Sequence, residues 1–143
     1  SHALAGLRLG YALAQAPLIE GLIRVKDSFN SYPIDVIAER VAEAAVADRG
    51  WLHDAGTRVA AWRGDLSDAL RAMDFEVLPS QANFVFARHP HHGGSGLFNG
   101  LREQAILVRR WDKPRLEDWL RITVGTPEQN KALLGALKTQ VQP

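Results

Sequence analysis

Cysteine is absent from this sequence, which excludes a disulfide framework and any thiolate-ligated metal site. A reducing compartment is compatible with that, and the cytoplasm is the expected location. Net charge is nearly absent as well: 17 basic and 16 acidic side chains leave only +1. The two signs are mixed along the chain, so the basic footprint of a nucleic-acid binder is missing. No apolar run approaches the roughly 20 residues needed to cross a bilayer, and no signal peptide is visible. An initiator methionine is also lacking and the first residues read as the inside of a motif, so the chain is expected to be a piece of a longer protein. What is present is 143 residues, 46% hydrophobic, with four Trp. That is enough to bury one respectable core, and one domain is the expectation.

The most informative stretch is residues 116–126, Leu-Glu-Asp-Trp-Leu-Arg-Ile-Thr-Val-Gly-Thr. Residues 119–124 alternate and are rich in β-branched and aromatic side chains, which predicts a half-buried strand. Arg121 breaks that pattern. A guanidinium on such a strand is costly to desolvate unless it meets an anion, so it is either an edge residue facing water or a ligand for carboxylate or phosphate. Gly125 ends the strand. Thr126-Pro127-Glu128-Gln129 then predicts a helix start, with Thr126 as N-cap, Pro127 first in the helix and Gln129 three residues beyond the cap.

At the start of the chain, Leu7, Leu9 and Tyr11 alternate with Arg8, Gly10 and Ala12, which predicts a strand. Its face at Gly6 and Gly10 has room for a close neighbour, and Arg8 is either solvated or beside an anionic ligand. Pro17 opens a helix over residues 18–25, residues 26–32 read as loop, and Pro33 restarts a helix that Gly50 interrupts. From 51 to 73 a helical stripe of Val59, Trp62, Leu66, Leu70 and Met73 predicts core, with the charges as its solvated side. Short strands are predicted over 75–78 and 83–87, with Pro79-Ser80-Gln81 as the turn between them and Asn83 at its end. His89, His91 and His92 lie in a Pro- and Gly-rich loop tip without rigid spacing or an adjacent acid, so they read as loop and not as a metal site. Ser95 is expected to cap a helix over 97–104, and a strand over 105–109 follows. It ends at Arg109 and Arg110, whose side chains must face opposite ways. Residues 111–115 read as a polar connection, and residues 127–141 as the last helix. The order of elements predicts an α+β fold, a small and mostly antiparallel sheet covered by helices.

Three segments occur together and in order: Leu4-Ala5-Gly6-Leu7-Arg8-Leu9-Gly10-Tyr11, Pro79-Ser80-Gln81-Ala82-Asn83-Phe84-Val85 and Leu120-Arg121-Ile122-Thr123-Val124-Gly125-Thr126. In this the chain resembles the histidinol-phosphate aminotransferases, fold-type I enzymes that use pyridoxal 5'-phosphate. The resemblance covers essentially the whole chain but only the C-terminal part of such an enzyme. It implies that residues 1–13 are a strand segment of the large cofactor-binding domain and residues 14–143 the small C-terminal domain. It also implies that the Schiff-base lysine lies eight residues before Arg8, immediately upstream of Ser1. This chain then carries no catalytic residue of its own and is expected to be inactive alone.

Carried over by the same resemblance, Arg8 binds the cofactor phosphate, with Gly6 and Gly10 letting backbone approach it. Arg121 binds the anionic end of the substrate, carboxylate in one half-reaction and phosphate in the other, and Arg109 is a second phosphate contact. The implied reaction is amino transfer between histidinol phosphate and 2-oxoglutarate in a homodimer, with neither nucleic acid nor membrane as partner. Two other readings stay open: a decarboxylase of a phosphorylated amino acid such as threonine phosphate, and a non-catalytic α+β module that binds small anions or a partner protein.

Overall fold

A computed structural model of the protein describes residues 4–30 and 32–142. Its contacts divide into two compact units, Ser1–Ala55 and Gly56–Pro143.

In the first unit the strand expected over residues 1–13 does not form at residues 4–13; residues 1–3 lie outside the described residues. Ala5–Leu7 make one 3-10 turn, closed by Arg8 in the left-handed conformation (φ 56°) with its N–H donating to the Ala5 carbonyl at 3.2 Å. An alternating sequence becomes a strand only when a neighbouring backbone takes up its N–H and C=O groups, and no ladder within the described residues includes this segment. Helix α1, Ala16–Phe29, starts at the predicted proline but runs past Val25 through residues expected as loop. Loss of apolar periodicity does not stop a helix whose backbone bonds still close, and here the Asn30 N–H bonds the Lys26 carbonyl. Helix α2, Val36–Ala47, is capped by the Asp35 carboxylate, which accepts from the Ala38 N–H at 2.9 Å. The break after α2 is made by Asp48, not Gly50. Its carboxylate accepts from the Trp51 N–H at 3.0 Å, and helix α3, Arg49–Arg71, starts on it.

The second unit contains the rest of α3, then β1 (Glu76–Val77), β2 (Phe84–Arg88), α4 (Gly94–Glu103), β3 (Arg109–Arg110), β4 (Leu120–Thr123) and α5 (Pro127–Val141). The four strands form one sheet in the order β1-β2-β4-β3, antiparallel at every pairing. The architecture is α+β, as the element order predicts. Period-two alternation sorts the sheet into two faces. Val77, Val85, Ala87, Leu120 and Ile122 point to one side and form a single core with Leu66 and Leu70 of α3, Leu97 and Leu101 of α4, and Leu133, Ala136 and Leu137 of α5. Each fully buried leucine of this set contributes about 1.5–3 kcal/mol of apolar burial. Phe84, Phe86 and Arg121 point to the other side.

The ends of the helices are fixed by local chemistry. Helices α3 and α4 both stop on a left-handed residue, Asp74 (φ 65°) and Ala105 (φ 58°). In each case the next N–H reaches back to a carbonyl five residues earlier, Phe75 to Leu70 at 3.1 Å and Ile106 to Leu101 at 3.0 Å. This turn at Ala105 is why the expected strand over 105–109 shrinks to Arg109–Arg110. Ser95 lies inside α4, whose N-cap is Gly93. A Cβ on Gly94 would sit 2.6 Å from the Glu117 carbonyl, so glycine is what lets α4 start against the 117–118 backbone. Helix α5 begins as its sequence predicts. Thr126 and Gln129 form a reciprocal capping box, and the Gly125 N–H donates to the Asn130 side-chain carbonyl at 2.9 Å.

Candidate functional site

The sheet face away from α3, α4 and α5 carries cations and aromatic rings. Phe86 of β2 lies opposite Arg121 of β4, and Arg121 lies opposite Arg109 of β3. The three side chains therefore form one row across three strands. Trp111, two residues beyond Arg109, falls on the same side by the same alternation. Its ring lies under both guanidinium groups, 5.4 Å from that of Arg109 and 5.6 Å from that of Arg121. Arg121 also lies 5.3 Å from the Phe84 ring. Phe86 meets Trp111 edge-on at 6.1 Å and stacks nearly parallel on Trp119 at 5.0 Å. Arg121 is half-buried and Arg109 exposed.

The other arginines of this region have acceptors. Arg88 bonds Glu76 at 2.6 Å, and Arg110, on the opposite side of β3, bonds the Glu117 carbonyl at 2.7 Å. Among the described residues no acid pairs with Arg109 or Arg121. Two like charges placed directly opposite in a ladder repel, by an amount comparable to what an opposite pair gains. The aromatic faces offset part of that, and an anion between the forks would satisfy the rest.

Beside Arg121 is a cavity of roughly 520 Å³, lined also by Pro79, Phe84, Phe86, Trp111 and Leu116. Its wall at residues 79–83 is held by a chain of bonds. The Ser80 hydroxyl donates to the Phe84 carbonyl at 2.6 Å and accepts from the Ala82 N–H at 3.1 Å, and Arg63 donates to the Ala82 carbonyl at 2.8 Å. The Asn83 carbonyl accepts from the Val124 N–H at 2.9 Å, which ties this turn to the end of β4. A single cation at the edge of an apolar, aromatic cavity suits a small ligand with an anionic end and a flat or apolar body.

Of the residues singled out from the sequence, Arg109 and Arg121 come together on this face. Arg8 belongs to the first unit, where its side chain is exposed and a Cβ on Gly6 or Gly10 would meet nothing within 4 Å. Trp111 escaped the sequence reading because it follows the last strand residue and looks like part of a polar connection. The alternation from Arg109 was the signal that could have found it. The three histidines form a ring cluster, His89 at 4.6 Å from His92 and 6.0 Å from His91. Among the described residues no three His, Asp or Glu side chains converge as metal ligands.

Known proteins are similar to this chain in sequence and in fold. Residues 1–137 match the family described as aminotransferase class I and II. A histidinol-phosphate aminotransferase of Gluconacetobacter diazotrophicus is 55% identical over 97% of this chain, which corresponds to 39% of that relative. Among solved structures, the histidinol-phosphate aminotransferase of Clostridium acetobutylicum superposes with a TM-score of 0.84 at 25% identity, covering 96% of this chain and 42% of that one. A decarboxylase of Sulfurospirillum multivorans gives 0.79 at 28% identity over 98% of this chain and 41% of its own. The chain thus spans about two-fifths of the length of the proteins it matches. A family match that runs from the first residue to residue 137 of 143 establishes that this chain belongs to the class I and II aminotransferases.

Proposed function

We propose that this chain is part of a pyridoxal-phosphate-dependent histidinol-phosphate aminotransferase, the portion that follows the cofactor lysine, and that it supplies the substrate's anion site. Residues 1–13 are assigned to the large domain on the strength of the Gly6-Arg8-Gly10 motif, and residues 14–143 to the small domain. The observation that carries the reading is the pair Arg109 and Arg121, opposite each other in the ladder and without an acid among the described residues. Relatives named for this activity at 55% identity support the choice of substrate.

In this reading Arg121 grips the glutamate carboxylate in one half-reaction and the histidinol-phosphate phosphate in the other. A planar fork of donors accepts either anion. Arg109 adds a second contact that the larger, doubly charged phosphate can use. Phe84, Phe86 and Trp111 line the cavity beside the half-buried Arg121 and limit water there, which strengthens its charge-assisted bonds. The donor set of Arg8 fits the cofactor phosphate: an exposed guanidinium flanked by two glycines whose missing side chains leave open space. Pyridoxal phosphate, when bound, supplies the electron sink for transfer of the amino group. The active species is a homodimer of the longer protein, and this chain alone neither turns over nor holds the cofactor tightly.

The likeness to the Sulfurospirillum decarboxylase favours one second reading, decarboxylation; with a phosphorylated amino acid as substrate, such an enzyme would use the same two arginine forks. Intact enzyme supplied with histidinol phosphate and 2-oxoglutarate, and separately with threonine phosphate, separates the two. Glutamate formation in the first mixture is the expected result. Carbon dioxide from the second, with no glutamate from the first, would establish the decarboxylase.

A further inference from the structure

We infer that Trp111 is a positioning and specificity-determining residue: it holds the guanidinium groups of Arg109 and Arg121 together as one receptor and so favours a dianionic phosphate over a carboxylate. The inference rests on the proposed anion site and goes beyond it by naming the residue that sets the preference.

Arg109 and Arg121 are cross-strand partners, so their backbones are held close while their like charges push the side chains apart. Long arginine side chains carry much rotamer freedom and would splay into solvent unless something retained them. One ring retains both, with Trp111 at 5.4 Å and 5.6 Å from the two guanidinium carbons. The indole is itself held in turn by the edge contact with Phe86 at 6.1 Å, and Phe86 by the parallel stack on Trp119 at 5.0 Å. The result is a two-cation receptor assembled before any ligand arrives. A tetrahedral dianion can engage both forks at once, whereas a carboxylate is satisfied by one fork. Keeping the two cations together therefore benefits phosphate more than carboxylate, which sets a preference and not merely an affinity. Trp111 has two further properties that suit this part. It is half-buried, which limits the motion of its ring, and it lines the cavity beside Arg121.

The test uses the intact holoenzyme and its Trp111→Leu, Trp111→Phe and Arg121→Ala variants. Affinity for inorganic phosphate and for acetate is measured by calorimetry, and KM and kcat for histidinol phosphate and glutamate by steady-state kinetics. Trp111→Leu is expected to weaken phosphate about tenfold, the scale of two cation–π contacts, with acetate changed less than about threefold. KM for histidinol phosphate rises correspondingly, kcat is little changed, and Trp111→Phe recovers most of the loss. Equal weakening of phosphate and acetate, or no recovery by phenylalanine, would overturn the inference. So would unchanged phosphate binding in Trp111→Leu when Arg121→Ala weakens it. Phosphate binding unaffected by Arg121→Ala would instead remove the anion site on which the inference rests.

Discussion

Arg109 and Arg121 are direct partners in the β3–β4 ladder, and both guanidinium groups lie within 5.6 Å of the Trp111 ring. Placing two cations there is unfavourable for the empty protein and favourable for one that binds an anion. Stability and ligand affinity should therefore move in opposite directions when either arginine is changed.

Arg109→Thr removes the like-charge opposition and leaves a residue well suited to a strand. In phosphate-free buffer of low ionic strength the variant should be more stable by a few tenths of a kcal/mol, the relieved repulsion being partly offset by the lost contact of Arg109 with Trp111, and the gain should fade as salt screens the pair. Added phosphate should raise the Tm of the unsubstituted protein more than that of the variant. Thermal melts with and without phosphate check both statements.

Arg121→Ala in the intact enzyme should weaken substrate binding by about 2–5 kcal/mol, because the guanidinium is half-buried and lines the cavity. The loss should appear in KM for both half-reactions. An unchanged KM for histidinol phosphate and for glutamate would remove Arg121 from the site.

Gly125→Ala should be destabilising by about 1–3 kcal/mol, the range for forcing an extra methyl into a packed site. A Cβ there would lie 2.8 Å from Gln129 Cβ and 3.2 Å from Asn130 Oδ1, the groups that hold the end of β4 to the start of α5. Thr126→Ala removes only the cap and should cost about 1 kcal/mol. Chemical denaturation of the two variants should reproduce that order.

Ala105→Gly should stabilise the protein. Ala105 holds a left-handed φ of 58° that costs an L-residue about 1–2 kcal/mol, while the extra freedom of glycine in the unfolded chain returns about 0.4–1 kcal/mol. The net gain is about 0.5–1 kcal/mol, measurable as a higher denaturation midpoint at an unchanged slope.

His89 makes the stability depend on pH. It is buried against the edge of Phe75 at 5.0 Å. Burial, then the neighbouring His92 and His91, hold its pKa below the usual value of 6.5, against an opposing pull from Asp74 and a backbone bond at Met73. A lowered histidine pKa means that the unfolded chain takes up the proton first. Its contribution is fully present above pH 6.5 and is lost as pH falls from there through the lower folded-state value. The difference in unfolding free energy between the protein and His89→Phe should therefore vary with pH below about 6.5 and be flat above it. A difference that is constant across that range would rule the effect out.

The parts of the fold that depend on neighbouring residues were legible in the chain itself. The start of α5 at Thr126-Pro127 and its length were readable because a capping box and a 3.6-residue period need only adjacent residues. The strands β2 and β4 are readable from their apolar, β-branched and aromatic residues, and the motifs at 4–11, 79–85 and 120–126 carry the resemblance to the family. The strand expected over 1–13 is absent from the described residues 4–13 for the complementary reason: alternation proposes a strand, but only a partner backbone makes one.

What the sequence determined by itself, then, was which elements form in the second unit, the α+β class and the odd presence of Arg109 and Arg121 on strands. Only the tertiary structure decided that these two cations face each other, that Arg110 turns away to the Glu117 carbonyl, and that Trp111 lies beneath both forks. Cross-strand register is fixed by packing one face of the sheet onto α3, α4 and α5, an interaction among residues far apart in the chain. No local pattern at Arg109 or Trp111 encodes it.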